Sequence, residues 1–120
     1  MNVESEKEFG NVEISEEVIG SIASLAALEI EGVTEMVGGI TKGIAEKLGK
    51  KNLSKGVKIL RNENEVSIDI NLIVEFGVQI QKIGYNIQKK VKQSVEVMTG
   101  LNVVQVNVNV EGVQSKEIEQ

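Results

Sequence analysis

The side chains able to do chemistry in this chain are serine, threonine, lysine, glutamate, Tyr85 and one aspartate, Asp69. Histidine and cysteine do not occur among the 120 residues. Their absence removes the usual general base near neutral pH, the thiolate nucleophile, disulfides, and metal sites built on imidazole or thiolate. No serine has a candidate base, and the glutamates show no spacing that would set two carboxylates in a cleft or close a calcium loop. Gly38-Gly39-Ile40-Thr41-Lys42-Gly43 has the look of a phosphate loop, but Ile44 and Ala45 follow where Lys and Ser or Thr are required, so it reads as a turn. With two Phe and one Tyr, the stacking platforms used by single-strand binders are missing. These residues assign no catalytic, cofactor-binding or metal-ligating position, and neither cofactor nor small-molecule substrate is expected.

Charge is the one feature above background. The chain carries a formal −5, which opposes nucleic-acid binding unless one basic face is segregated. Segregation exists: between residues 42 and 61, seven basic residues face the single acid Glu46. Lys42, Lys47, Lys50, Lys51 and Lys55 make this segment a candidate partner surface, with Ile40, Ile44 and Leu48 as an apolar footing for an acidic protein or anionic lipid. The competing reading, which we favour at this point, packs those three apolar side chains on the core and leaves the lysines in water.

These residues must be positioned by recognisable elements. Residues 1–8 and 114–120 are polar and aperiodic and read as flexible tails around a single domain over 9–113. Asn11-Val12-Glu13-Ile14 alternates as a short strand, and Ser15 with Glu16 and Glu17 forms a helix start. Val18, Ile19, Ile22, Ala23, Leu25, Ala26 and Ile30 share one side of the first helix, opposite Gly20, Ser24 and Ala27. Val33 to Val37 reads as an extended segment, and Ile40, Ile44 and Leu48 predict a short helix in the connector. A strand over 57–61 turns at Asn62-Glu63-Asn64 into a long strand with Val66, Ile68, Ile70, Leu72, Val74 and Phe76 on one face. Residues 78–99 follow as a helix with Ile80, Ile83, Gly84, Ile87, Val91, Val95 and Met98 inward. A last strand sets Val104, Val106, Val108 and Val110 against Gln105, Asn107 and Asn109. The fold class is α+β: a two-layer sandwich, with a mixed β-sheet carrying two main helices on one face and a short extra helix in the connector. Ser67, Asp69, Asn71, Gln105, Asn107 and Asn109 fall on the other face, which is either wet or a partner's. The final strand is uncharged and β-prone, so if its edge is open it invites self-association; the preferred reading pairs it beneath the long helix.

Together the segments resemble the alkaline shock protein family of Gram-positive bacteria. The resemblance rests on Gly10-Asn11-Val12-Glu13-Ile14 before the first helix, Gly32-Val33 after it, Asn52-Leu53-Ser54-Lys55-Gly56-Val57 opening the hairpin, Val74-Glu75-Phe76-Gly77, and Met98-Thr99-Gly100-Leu101 leading to Val106-Asn107-Val108. It implies a cytoplasmic, non-enzymatic protein of cell-envelope stress response or homeostasis, acting through protein partners. A membrane-anchoring protein is among the partners implied, which would make the chain peripheral to the membrane, and a homo-oligomer is expected. Where many relatives carry a proline early in the second helix, this chain has Ile80-Gln81-Lys82. The alternative, motivated by the lysines flanking Ile40, Ile44 and Leu48, is a direct binder of anionic lipid or acyl ligands, linked to fatty-acid metabolism as the resemblance implies for some branches of the family.

Overall fold

A computed structural model describes residues 8–45 and 53–115. Helix α1 spans Glu16–Leu28. Ser15 begins it as expected, its Oγ accepting the Val18 amide at 3.2 Å, which satisfies one of the donors a helix start leaves open. Its buried face is wider than the periodicity suggests. Leu25 is exposed, whereas Gly20, Ser24 and Ala27, placed by the pattern on the solvent side, are buried. At Gly20 the cause is close approach by the chain before the second strand: a Cβ there would stand 2.9 Å from the Ser54 Cβ. Small residues here are packing residues, a use that hydrophobicity alone does not reveal.

Strand β1 (Val33–Met36), a four-residue helix α2 (Lys42–Ala45), strand β2 (Val57–Asn62), strand β3 (Glu65–Glu75), helix α3 (Ile80–Thr99) and strand β4 (Asn102–Gln114) complete the order. The strand expected at Asn11–Ile14 does not form. Its side chains are mostly exposed, and the Ile14 carbonyl accepts Arg61 Nη1 at 2.9 Å, so a side chain stands where a ladder partner would be needed.

The sheet is built around β3. Both β1 and β2 pair with it antiparallel, β2 against its first half and β1 against its second, so the two lie end to end along one edge. Strand β4 pairs with it in parallel from Glu65 to Glu75. The sheet is therefore mixed, and the fold is the two-layer α+β class read from the sequence. Val66, Ile68, Ile70, Leu72 and Val74 are fully buried under the helices, with Ile19, Ile22, Ala23, Ile83, Ile87, Val91 and Val95 packed over them. Phe76, expected to continue that face, is exposed, because β3 ends at Glu75.

Three further expectations are corrected. Helix α3 buries only Ile83, Ile87, Val91 and Val95, leaving Ile80 and Met98 exposed. Its 20 residues span about 30 Å against about 20 Å for α1, so its ends overrun the surface they cover. In β4 the register slips between Val66–Val103 and Ser67–Gln105. That bulge turns Val104 outward and lets Val103 and Val106, three apart, both point into the core. Gln114, assigned by sequence to the C-terminal tail, is the last residue of β4, and its carbonyl accepts the Phe76 amide at 2.9 Å.

Candidate functional site

The lysine segment is placed in part. Lys42 lies in α2 and Lys55 precedes β2, both exposed, while Lys47, Lys50 and Lys51 lie outside the described residues, as does Leu48. Ile40 is buried and bridged to Met36, its carbonyl accepting the Met36 amide at 2.8 Å. The first of the three apolar positions thus packs on the core, as the reading favoured from the sequence has it.

The sheet face away from the helices carries the polar set expected of it. Asn107 Nδ2 donates to Asp69 Oδ1 at 2.7 Å, Gln105 Nε2 to Asn107 Oδ1 at 3.1 Å, and Asn109 Nδ2 to Asn71 Oδ1 at 3.0 Å. The chain's one aspartate is therefore engaged in an amide ladder between β3 and β4. Beside this ladder Leu60 and Val104 stand exposed on a shallow cleft of about 260 Å³. No element among the described residues covers this face.

The margin of the sheet is the outer edge of β4. Asn71 turns its amide and carbonyl toward Gly56 and Val37, so in the alternation of β3 it is Ile68, Ile70 and Leu72 that bond to β4. In a parallel ladder their partners are the neighbours of the facing residues. Val106, Val108 and Val110, which face them, therefore direct their own amides and carbonyls away from β3. Helix α3 closes the start of that edge with side chains. Glu96 Oε2 accepts the Val103 amide at 3.0 Å, Lys92 Nζ donates to the Val103 carbonyl at 2.6 Å, and Gln88 Nε2 donates to the Val106 carbonyl at 3.0 Å. Past Val106 no such clamp is found among the described residues. Charged and amide side chains over an edge are a known protection against unwanted pairing, and here it stops halfway. The sequence had no signal for the clamp beyond the i, i+4 spacing of Lys92 and Glu96, whose ion pair measures 3.2 Å.

The Glu96 carboxyl is held below the usual carboxylate range, chiefly by the Val103 amide and then by Lys92. A carboxylate whose folded pKa is depressed stabilises the fold above its unfolded pKa, and that contribution fades as pH falls through the folded value. Glu96→Gln keeps an acceptor oxygen but cannot titrate. The advantage of wild type over this variant in urea midpoint is expected to be largest near pH 7 and to shrink toward about pH 3; a constant difference would show that Glu96 carries no linkage.

A cleft of about 550 Å³ lies between the end of α1 and the start of α3. Glu29, Glu31, Glu75 and Lys82 rim it over Ile83, and Glu29 pairs with Lys90 at 3.2 Å. Among the described residues no three acidic side chains converge as metal ligands, and no helix is long and apolar enough to cross a membrane.

Among the described residues, the fold and these surfaces define an open-faced α+β domain with one bare sheet face and one half-guarded edge. The chain belongs to the alkaline shock protein family, described as having a cell envelope-related function, which it matches over residues 4–115. Among its relatives, the Bacillus subtilis protein YqhY is 40% identical over 106 residues, 88% of this chain and 78% of the relative. YloU of the same organism is 36% identical over 95% of this chain and 97% of its own length. A Streptococcus pyogenes protein named as a stress response regulator gls24 homolog is 28% identical over 90% of this chain and 61% of its own. No solved structure matches.

Proposed function

We propose that this chain is a non-enzymatic protein-interaction scaffold of the cell-envelope stress response, self-associating and acting through protein partners near the membrane. One observation carries the reading: α1 and α3 cover the same side of the sheet, so among the described residues the opposite face and the outer half of the β4 edge stay bare, with Leu60 and Val104 exposed beside the amide ladder. Exposed apolar side chains rimmed by polar groups, on a domain whose own core is complete, are what a docking surface requires. The family description and the name of the streptococcal relative supply the envelope and stress context.

Crosslinking in cells followed by mass spectrometry, with sedimentation of the purified chain, tests it. Crosslinks to defined proteins or to a second copy, reaching the bare face or the β4 edge, are expected. Recovery of no partner together with a strictly monomeric chain would overturn the reading, as would capture by anionic vesicles alone in a flotation assay, the outcome belonging to a direct lipid binder.

A further inference from the structure

Beyond the point where the α3 clamp ends, a groove of about 140 Å³ runs between the helix and the free edge of β4, lined by Ile80, Gly84, Tyr85, Gln88, Val108 and Val110. We infer that this groove is a strand-addition site for an extended peptide segment of a partner protein, apolar at alternate positions and carrying an acidic residue. The inference rests on the interaction-scaffold reading above and names the surface and the chemistry of one partner.

Three features converge there. The register leaves Val108 and Val110 with backbone donors and acceptors directed into the groove, which is what an added strand bonds to. The helix opens opposite them because its residue is Gly84: a Cβ built there meets nothing within 4 Å, leaving room for one incoming side chain against Ile80 and Tyr85, both exposed. The rim is basic. Lys89 stands over the Tyr85 ring with its Nζ 5.7 Å from the centroid, and no carboxylate among the described residues comes within ion-pair distance of it. A carboxylate on the peptide complements it.

The occupant is a bare strand rather than a second copy of this domain. Strands pair about 4.8 Å apart, whereas packed helices need about 8–10 Å between axes. Since α3 lies close enough over β4 for Gln88, Lys92 and Glu96 to reach its outer edge, a second β4 would bring a second α3 into the same space. A peptide without a covering helix meets no such obstacle.

The test selects displayed random ten-residue peptides on the full chain and titrates the enriched sequence, as a labelled synthetic peptide, against variants. Gly84→Leu fills the groove with a good helix former, so it is expected to melt no lower than wild type and to bind at least tenfold more weakly. Val108→Pro removes an amide the β3 ladder does not use, a substitution edge strands accept, and is expected to weaken binding similarly; Lys89→Glu should disfavour acidic peptides. Amide exchange at Val108 and Val110 should slow when peptide is bound. Failure to enrich any peptide, equal binding to wild type and both groove variants, or a wild-type dimer that Gly84→Leu dissociates would each overturn the inference. If partners crosslinked in cells persist in Gly84→Leu, the groove is wrong and the scaffold reading stands; if no partner is found at all, the scaffold reading itself falls.

Discussion

Gly56→Ala is expected to cost about 3 kcal/mol or more of folding stability, far beyond the usual effect of adding one methyl group. Gly56 has φ +81°, and a Cβ there would stand 2.6 Å from the Val37 carbonyl oxygen and 3.3 Å from that of Asn71. Neither obstacle can rotate aside, because both are backbone. They are also the seam of the sheet: the Asn71 amide donates to the Gly56 carbonyl at 2.8 Å and its carbonyl accepts the Val37 amide at 2.9 Å. Asn71 thus bridges the gap where β2 hands over to β1 along one edge of β3, and displacing Gly56 breaks both bonds together. Gly39→Ala is the control, with a similar φ of +86° and nothing within 4 Å, so it should lose only the left-handed conformational term of about 1–2 kcal/mol. Urea midpoints with unchanged m-values measure both. Equal losses would show that the seam tolerates displacement and that conformation alone sets the cost.

Elements that obey one period throughout were legible in the sequence. In β3, Val66 to Val74 alternate without interruption and all five are buried, and in α3 the four-residue spacing from Ile83 to Val95 identified the core stripe. What the pattern hid was of three physical kinds. A bulge shifts phase, so Val104 was placed inward and stands outward: the alternation that holds from Val106 to Val110 is broken by the extra residue on β4, and before it Val103 takes the inward position. Close approach uses small residues, so Gly20 looked like a solvent position and is buried. Strand propensity without a partner edge forms nothing, which is why Asn11 to Ile14 stays irregular although its alternation is regular. The candidate surfaces were legible only as faces. The amide row along β3 and β4 followed from alternation, whereas the clamp by Gln88, Lys92 and Glu96 and the gap at Gly84 depend on how α3 lies over the margin of the sheet, which no local pattern encodes.

Ile70→Ala is expected to cost about 2–5 kcal/mol, while Asn109→Ala, on the facing surface of the same two strands, should cost less than about 1 kcal/mol. Ile70 is fully buried in the central strand, with strands on both of its edges and helices above, so the cavity left by truncation cannot collapse. Asn109 is exposed and gives up one amide bond to Asn71 of 3.0 Å, which water replaces. The asymmetry bears on function. Stability that resides almost wholly on the helical side leaves residues of the bare face free to vary without unfolding the domain, so a variant there that loses partner binding reports the contact itself. Were Asn109→Ala to destabilise as much as Ile70→Ala, the amide ladder would be structural, and the bare face would have a reason to exist that needs no partner.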